Sequence, residues 1–246
     1  MMTKMKKKSV VVVSCVAAVL LCCLATTTTA VANATAPKPS ETVNTADAPR
    51  IPPSGNINKL KLVKAKLKIP ADSKHLSAYV AGLRCTSDQT VMLQAARCMR
   101  KILESEKERL PVVCIVSEGT VPLLVNALRF VNNIPLQLEA AEVLAVISAS
   151  TYATYMTTNN LPNKCNAIRF LVPLMRSPSE AVRENCCVCI NNVATHSVRL
   201  RNHVLSHPNV IKNVILNIVR AKTQSMLDNA TWALSSLCHG QPLPPR

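Results

Sequence analysis

Apolar residues recur at helical spacing in four segments of the chain, and the four segments superimpose. They are QAARCMRKIL (94–103), EAAEVLAVIS (139–148), ENCCVCINNVA (184–194) and NATWALSSLC (229–238). With Arg97, Glu142, Val188 and Trp232 taken as equivalent, the intervals are 45, 46 and 44 residues. A second apolar segment precedes each: HLSAYVAGLR (75–84), TVPLLVNALRF (120–130), NAIRFLVPLMR (166–176) and NVIKNVILNIVR (209–220). Apolar positions three and four apart on one side predict a helix for every segment. Ser177-Pro178-Ser179-Glu180 reads as a helix start, with Ser177 at the N-cap, Pro178 in the first helical position and Glu180 three residues on.

A period of about 40–47 residues with two or three helices per unit is the pattern of HEAT and armadillo repeats. One such unit cannot bury its apolar face alone, so neighbours must stack. The expected fold is therefore an all-α, right-handed solenoid of about four repeats, spanning residues 76–246. The last helix of each unit lines a shared concave surface, and its exposed residues at i and i+4 point into that surface together. The pairs are Arg97/Lys101, Glu142/Val146, Val188/Asn192 and Trp232/Ser236.

The N-terminal region, positions 1–75, reads differently. MMTKMKKK is a basic start, residues 9–25 are an uncharged apolar run, and Ala32-Asn33-Ala34 offers an A-x-A site. This is the three-part layout of a secretory signal peptide. The 17-residue run also sits at the short limit of a membrane span, so membrane attachment requires that residues 9–25 stay uncleaved as an anchor. Residues 35–75 form a Pro- and Lys-rich linker, with Pro37, Pro39, Pro49, Pro52 and Pro53 and no apolar period before residue 58. That composition predicts a disordered N-terminal region.

Composition narrows the chemistry. The chain has 246 residues, 48% hydrophobic but only 2% aromatic, so its core must be aliphatic. Only 4 glycines occur, and no Gly-rich phosphate loop, G-x-S-x-G elbow or H-E-x-x-H motif can be found among them. No catalytic residue is assigned, and the chain is not expected to be an enzyme or to need a cofactor. The net charge is +16, but residues 1–75 hold 12 Lys/Arg against three acids, leaving +7 for the repeats. With six aromatics in all, a base-stacking platform is not expected, and nucleic acid is not a predicted partner. Cys186-x-x-Cys189 lacks a second pair at zinc-site spacing, and the surrounding helix makes these cysteines small hydrophobes. His203 and His207 are one helical turn apart but have no third ligand nearby, so no metal is predicted. Asn229-Ala230-Thr231 is a glycosylation sequon inside a predicted helix, which argues mildly against a secretory lumen.

Over residues 76–246 the chain resembles the importin-α (karyopherin-α) family. SMLDNATWALSSLCHGQPLPP (225–245) looks like that family's fourth repeat, and SPSEAVREN (177–185), HVLSH (203–207), QLEAA (137–141) and KILESEK (101–107) match its other repeats in order. The resemblance implies an armadillo adaptor that recognises nuclear localisation signals in nuclear protein import, through Trp and Asn residues four apart on successive third helices. Cargo lysines pack between indole rings, and the amides hold the peptide backbone. Carried onto this sequence, the peptide-binding residues are Trp232, Asn229 and Asn192. Glu142 and Val188 stand where the family has Trp, Val146 and Ser236 where it has Asn, and His196 where it has a lysine-pairing Asp. Losing two indoles and two amides removes about 3–6 kcal/mol, or two to four orders of magnitude in affinity. The implied partner is thus a basic extended peptide or protein cargo held weakly, in a largely degraded groove. The family's dense importin-β-binding helix has no counterpart in residues 58–70, which speaks against importin-β as a partner, and the match reads as divergent and truncated. The resemblance places the chain in cytoplasm and nucleus, whereas the segment 1–34 suggests the secretory pathway. The alternative reading is a secreted or membrane-anchored armadillo scaffold with no import role.

Overall fold

The computed structural model describes residues 73–105, 110–157 and 165–238. The signal-like segment 1–34, the apolar run 9–25, nearly all of the 35–75 linker and the 58–70 lysine stretch lie outside the described residues. Every regular element described is helical: α1 (Leu76–Leu83), α2 (Gln89–Ser105), α3 (Leu110–Ser117), α4 (Thr120–Ala127), α5 (Ile134–Ser148), α6 (Ile168–Leu174), α7 (Glu180–His196), α8 (Val198–Leu205), α9 (Val210–Arg220) and α10 (Gln224–Cys238). Short 3-10 helices at Ser73–His75 and Thr151–Met156 complete the set.

The helices repeat as first, second and third members. Repeat one contributes α1 and α2, repeat two α3, α4 and α5, repeat three the 151–156 turn with α6 and α7, and repeat four α8, α9 and α10. Each second helix packs on its own third helix, and the third helices pack in series: α2 on α5, α5 on α7, α7 on α10. The predicted all-α solenoid is the fold found.

The third helices share one starting device. Asp88 accepts from the Val91 amide at 3.2 Å, Asn133 from Leu136 at 3.1 Å, Ser179 from Val182 at 3.5 Å and Thr223 from Met226 at 3.2 Å. A short polar side chain thereby satisfies an amide left open by the helix start. These caps recur at 45, 46 and 44 residues, the intervals of the apolar repeats. The expected cap at Ser177 is corrected by that register: the helix begins at Glu180, with Ser179 as cap. Ser177 instead accepts from the Ser179 amide at 3.3 Å and shapes the preceding turn.

With few aromatics, close packing falls to small side chains. Ala95, Ala140, Cys186 and Ala230 occupy one register of the four third helices, and all are fully buried. Large aliphatic side chains such as Met92, Met99, Leu136, Leu144, Ile147 and Ile190 fill the space behind them. Polar ties cross between repeats three and four. Asn213 Nδ2 donates to the Val172 carbonyl at 2.9 Å, and Asn217 Nδ2 to the Met175 carbonyl at 2.7 Å. Asn217 Oδ1 in turn accepts from Arg183 Nε at 2.9 Å. One Glu180 oxygen accepts from the Lys222 amide at 3.2 Å and from the Thr223 amide and hydroxyl, both at 3.0 Å. Partial burial opposes ionisation of Glu180, but the Thr223 hydroxyl, the two amides and Arg183 outweigh it and hold the carboxyl below its usual range.

Two outcomes follow from these ties. Asn217→Ala strands a buried carbonyl and a guanidinium donor, and should lower stability by about 2–3 kcal/mol in urea unfolding, whereas exposed Lys212→Ala should change it by less than about 0.5. Because the Glu180 carboxyl is lowered in the folded state, its contribution is complete above the ordinary carboxylate range and is lost as pH falls through that range to the lowered value. Thermal melts from neutral to acid pH should show a shallower acid loss for Glu180→Gln than for the unaltered chain; an identical slope contradicts the assignment.

Candidate functional site

The third helices present their exposed positions to one face, and most polar groups there are tied across repeats. Glu139, nearly buried, accepts from Arg97 Nε at 2.9 Å and from Arg100 Nε at 2.7 Å. Arg100 also meets Glu142 at 3.0 Å and Glu104 one turn along its own helix. Its guanidinium is held above its ordinary pKa, chiefly by the Glu139 bond. Burial, and then the neighbouring Glu139 and Glu104, raise the Glu142 carboxyl against the pull of Arg100. Arg100 thus occupies the place beside these carboxylates that an incoming cation would take.

A depression of about 450 Å³ runs over α2, α5 and α7. Glu142, Val146, Val188 and Asn192 line it together, with Arg100 and Glu104 at its α2 end. The α2 positions expected there, Arg97 and Lys101, are displaced by Arg100 and Glu104; of the two arginines bound to Glu139, only Arg100 also reaches Glu142. The floor is aliphatic, from Leu103, Ala145, Val146 and Val188. Asn192 Nδ2 donates to Ser148 Oγ at 3.0 Å, so this amide fastens α7 to α5 as well as facing the depression.

Trp232, Asn229 and Ser236 stand one helix further on, along α10, and do not line that depression. Trp232 is 59% exposed, which rules out a core role for the indole. Asn229 Nδ2 donates to Glu184 Oε1 at 2.8 Å, and Ser236 Oγ to Asn191 Oδ1 at 2.6 Å. His196 is exposed at the end of α7. Sequence reading overlooked Glu184, Asn191 and Arg100. Glu184 could have been found, since it lies one turn before Val188 on the same helix face. Arg100 could not, because only its partners Glu139 and Glu142, on a different helix of the next repeat, reveal its role.

The charges are sorted by face. On α5, α7 and α10, Arg183 is the sole Lys or Arg against Glu139, Glu142, Glu180, Glu184 and Asp228, a net charge of −4. The rest of residues 110–238 carries nine Lys/Arg and a single acid, Glu118. A chain of net charge +16 thus has acidic third helices in repeats two to four.

Other chemistries find no foothold among the described residues. Cys186, Cys187 and Cys189 are buried; burial pushes the Cys187 and Cys189 thiols up to about 12 and Cys186 well above its normal value. Neutral buried thiols are poor nucleophiles and poor metal ligands. His203 and His207 pack edge to face at 5.0 Å, with the Asn166 amide between their Nε2 atoms. No group of three or more metal-ligating side chains is present among the described residues, and no described helix is long and apolar enough to cross a membrane.

The family model for the Armadillo/beta-catenin-like repeat matches residues 163–195, which hold α6 and most of α7. Importin subunit alpha-2 of Arabidopsis thaliana is 33% identical over 183 residues, 74% of this chain and 33% of that protein. Importin subunit alpha-3 of the same plant is 34% identical over 171 residues, covering 69% and 31%. Importin subunit alpha-1b of Oryza sativa subsp. japonica is 32% identical over 159 residues, covering 65% and 29%. The chain therefore spans about a third of the length of the curated relatives it matches. Two engineered proteins of known crystal structure share the fold at TM-scores of 0.60 and 0.57, each 18% identical; they cover 74% of this chain and 75% and 73% of their own. The chain belongs with the armadillo-repeat proteins, and its repeat region is related to that of the importin-α subunits.

Proposed function

We propose that this chain is a non-enzymatic armadillo adaptor that takes an extended, lysine-bearing peptide of the nuclear-localisation type on its inner face, more weakly than an intact array of indoles and amides would. The observation that carries the reading is Trp232, an exposed indole on an acidic third helix within a strongly basic chain. A lysine stem laid across the indole gains a cation–π contact, and Glu184 and Asp228 on the same face favour its charge. Asn229 and Asn192 are the amides placed to meet the peptide backbone. Val146, Val188 and Ser236 supply neither ring nor amide, and His196 replaces a carboxylate. Where Glu142 could have received a second lysine, Arg100 already sits at 3.0 Å. Binding therefore concentrates on repeats three and four. The relatedness to importin-α subunits supports cytoplasm and nucleus as the setting of such an adaptor.

Anisotropy titration of a labelled lysine-rich localisation peptide tests this. Saturable, salt-sensitive binding is expected, with Trp232→Ala weakening it about five- to thirtyfold, the worth of one desolvated cation–π contact. Absence of saturable binding up to millimolar peptide, or indifference to Trp232→Ala, removes the proposal.

A further inference from the structure

Each second helix ends in an exposed arginine. Arg84 follows α1, Arg129 follows α4, Arg176 follows α6 and Arg220 closes α9, at intervals of 45, 47 and 44 residues. All four lie in or beside the turn leading into a third helix, so serial packing of the third helices strings those turns along one edge of the stack. Packed helices stand about 8–10 Å apart, which sets roughly that spacing between successive turns. Lys222, also exposed, adds a further cation in the fourth turn.

Two observations separate this row from ordinary surface charge. Every arginine of the third helices is paired: Arg97 and Arg100 with Glu139, and Arg183 with Glu180 and Asn217. None of the four edge guanidinium groups has a hydrogen bond or ion pair among the described residues. The acids that do sit in these turns are committed elsewhere. Asp88 caps α2 through the Thr90 and Val91 amides, and Glu180 is held by Lys222, Thr223 and Arg183. A cation after a helix C-terminus favours the helix dipole, but one such residue per helix would serve that purpose at any exposed position in its last turn. An exposed arginine nonetheless stands within two residues of that helix end in all four repeats.

We propose that this edge is a second binding surface, distinct from the inner face, for an extended acidic polypeptide segment. An extended chain advances about 3.3 Å per residue, so Asp or Glu at every third position meets successive arginines. Single-stranded nucleic acid would share the charge but lacks rings to stack on. Phe130 is the one aromatic residue in these turns, and it is partly buried.

The test uses the full chain and a variant carrying Arg84→Gln, Arg129→Gln, Arg176→Gln and Arg220→Gln. The probes are a fluorescent peptide with Glu at every third position, its Gln counterpart and an oligothymidylate. At low salt the Glu peptide should bind and the Gln peptide should not, and the fourfold Gln variant should bind the Glu peptide about tenfold to hundredfold more weakly. A set with Lys at the same four positions should stay within severalfold of the unaltered chain. Circular dichroism melts check folding; if the Gln set unfolds, the four single substitutions should each cost about two- to threefold. Equal binding by the Gln variants places the effect on the lysines of the N-terminal region and overturns the proposal. Oligothymidylate binding tighter than the Glu peptide, with the same dependence on the four arginines, overturns it in favour of nucleic acid.

Discussion

The seam between consecutive third helices governs this molecule. At one register of each helix stands a residue no larger than cysteine, Ala95, Ala140, Cys186 or Ala230, and each is fully buried. A small side chain there lets neighbouring backbones approach, as dense packing requires when hardly any aromatic rings are present to fill space. Two of the buried cysteines belong to this seam, Cys186 at that register and Cys189 against the Ala141 carbonyl. Cys186 stands where its neighbours have alanine, and its fully buried thiol is a packing group. Once the third helices are fixed in series, the shared inner face and the row of capped turns follow from their spacing.

Closing the seam uses polar groups that an open groove would leave for a ligand. Asn192 reaches back to Ser148, Asn229 to Glu184, and Ser236 to Asn191. In the first two repeats the trade goes further, because Glu139 and Glu142 are answered by arginines of the chain itself. The inner face thus commits these polar groups to cohesion between repeats. What stays open to a cation is the stretch around Trp232, where carboxylates lie nearby and the ring is exposed.

Much of this was legible in the chain. The 45, 46 and 44 residue intervals placed all four third helices, since burying one face imposes a helical period that no surface requirement disturbs. Helix starts were less legible: Ser177 and Ser179 both suit a cap, and only the register shared with Asp88, Asn133 and Thr223 decides between them. The site was legible in its residue types but less so in its contacts. Glu142, Val146, Val188 and Asn192 do converge, yet Trp232 lies a helix away, and Arg100 displaces Arg97 because it alone also meets the Glu142 carboxylate of the next repeat. Periodicity identifies which side of a helix is buried. It does not say which exposed side chains meet across repeats.

Trp232 is the sole tryptophan, so its fluorescence reports on the inner face alone. The most direct measurement is quenching by caesium, iodide and neutral acrylamide, each relative to its effect on free tryptophan. An exposed indole on an acidic face should emit at long wavelength, quench readily with acrylamide, and favour caesium over iodide even though the whole chain is cationic. Emission at short wavelength with little quenching, or the preference for iodide that the overall charge of +16 would dictate, contradicts the account.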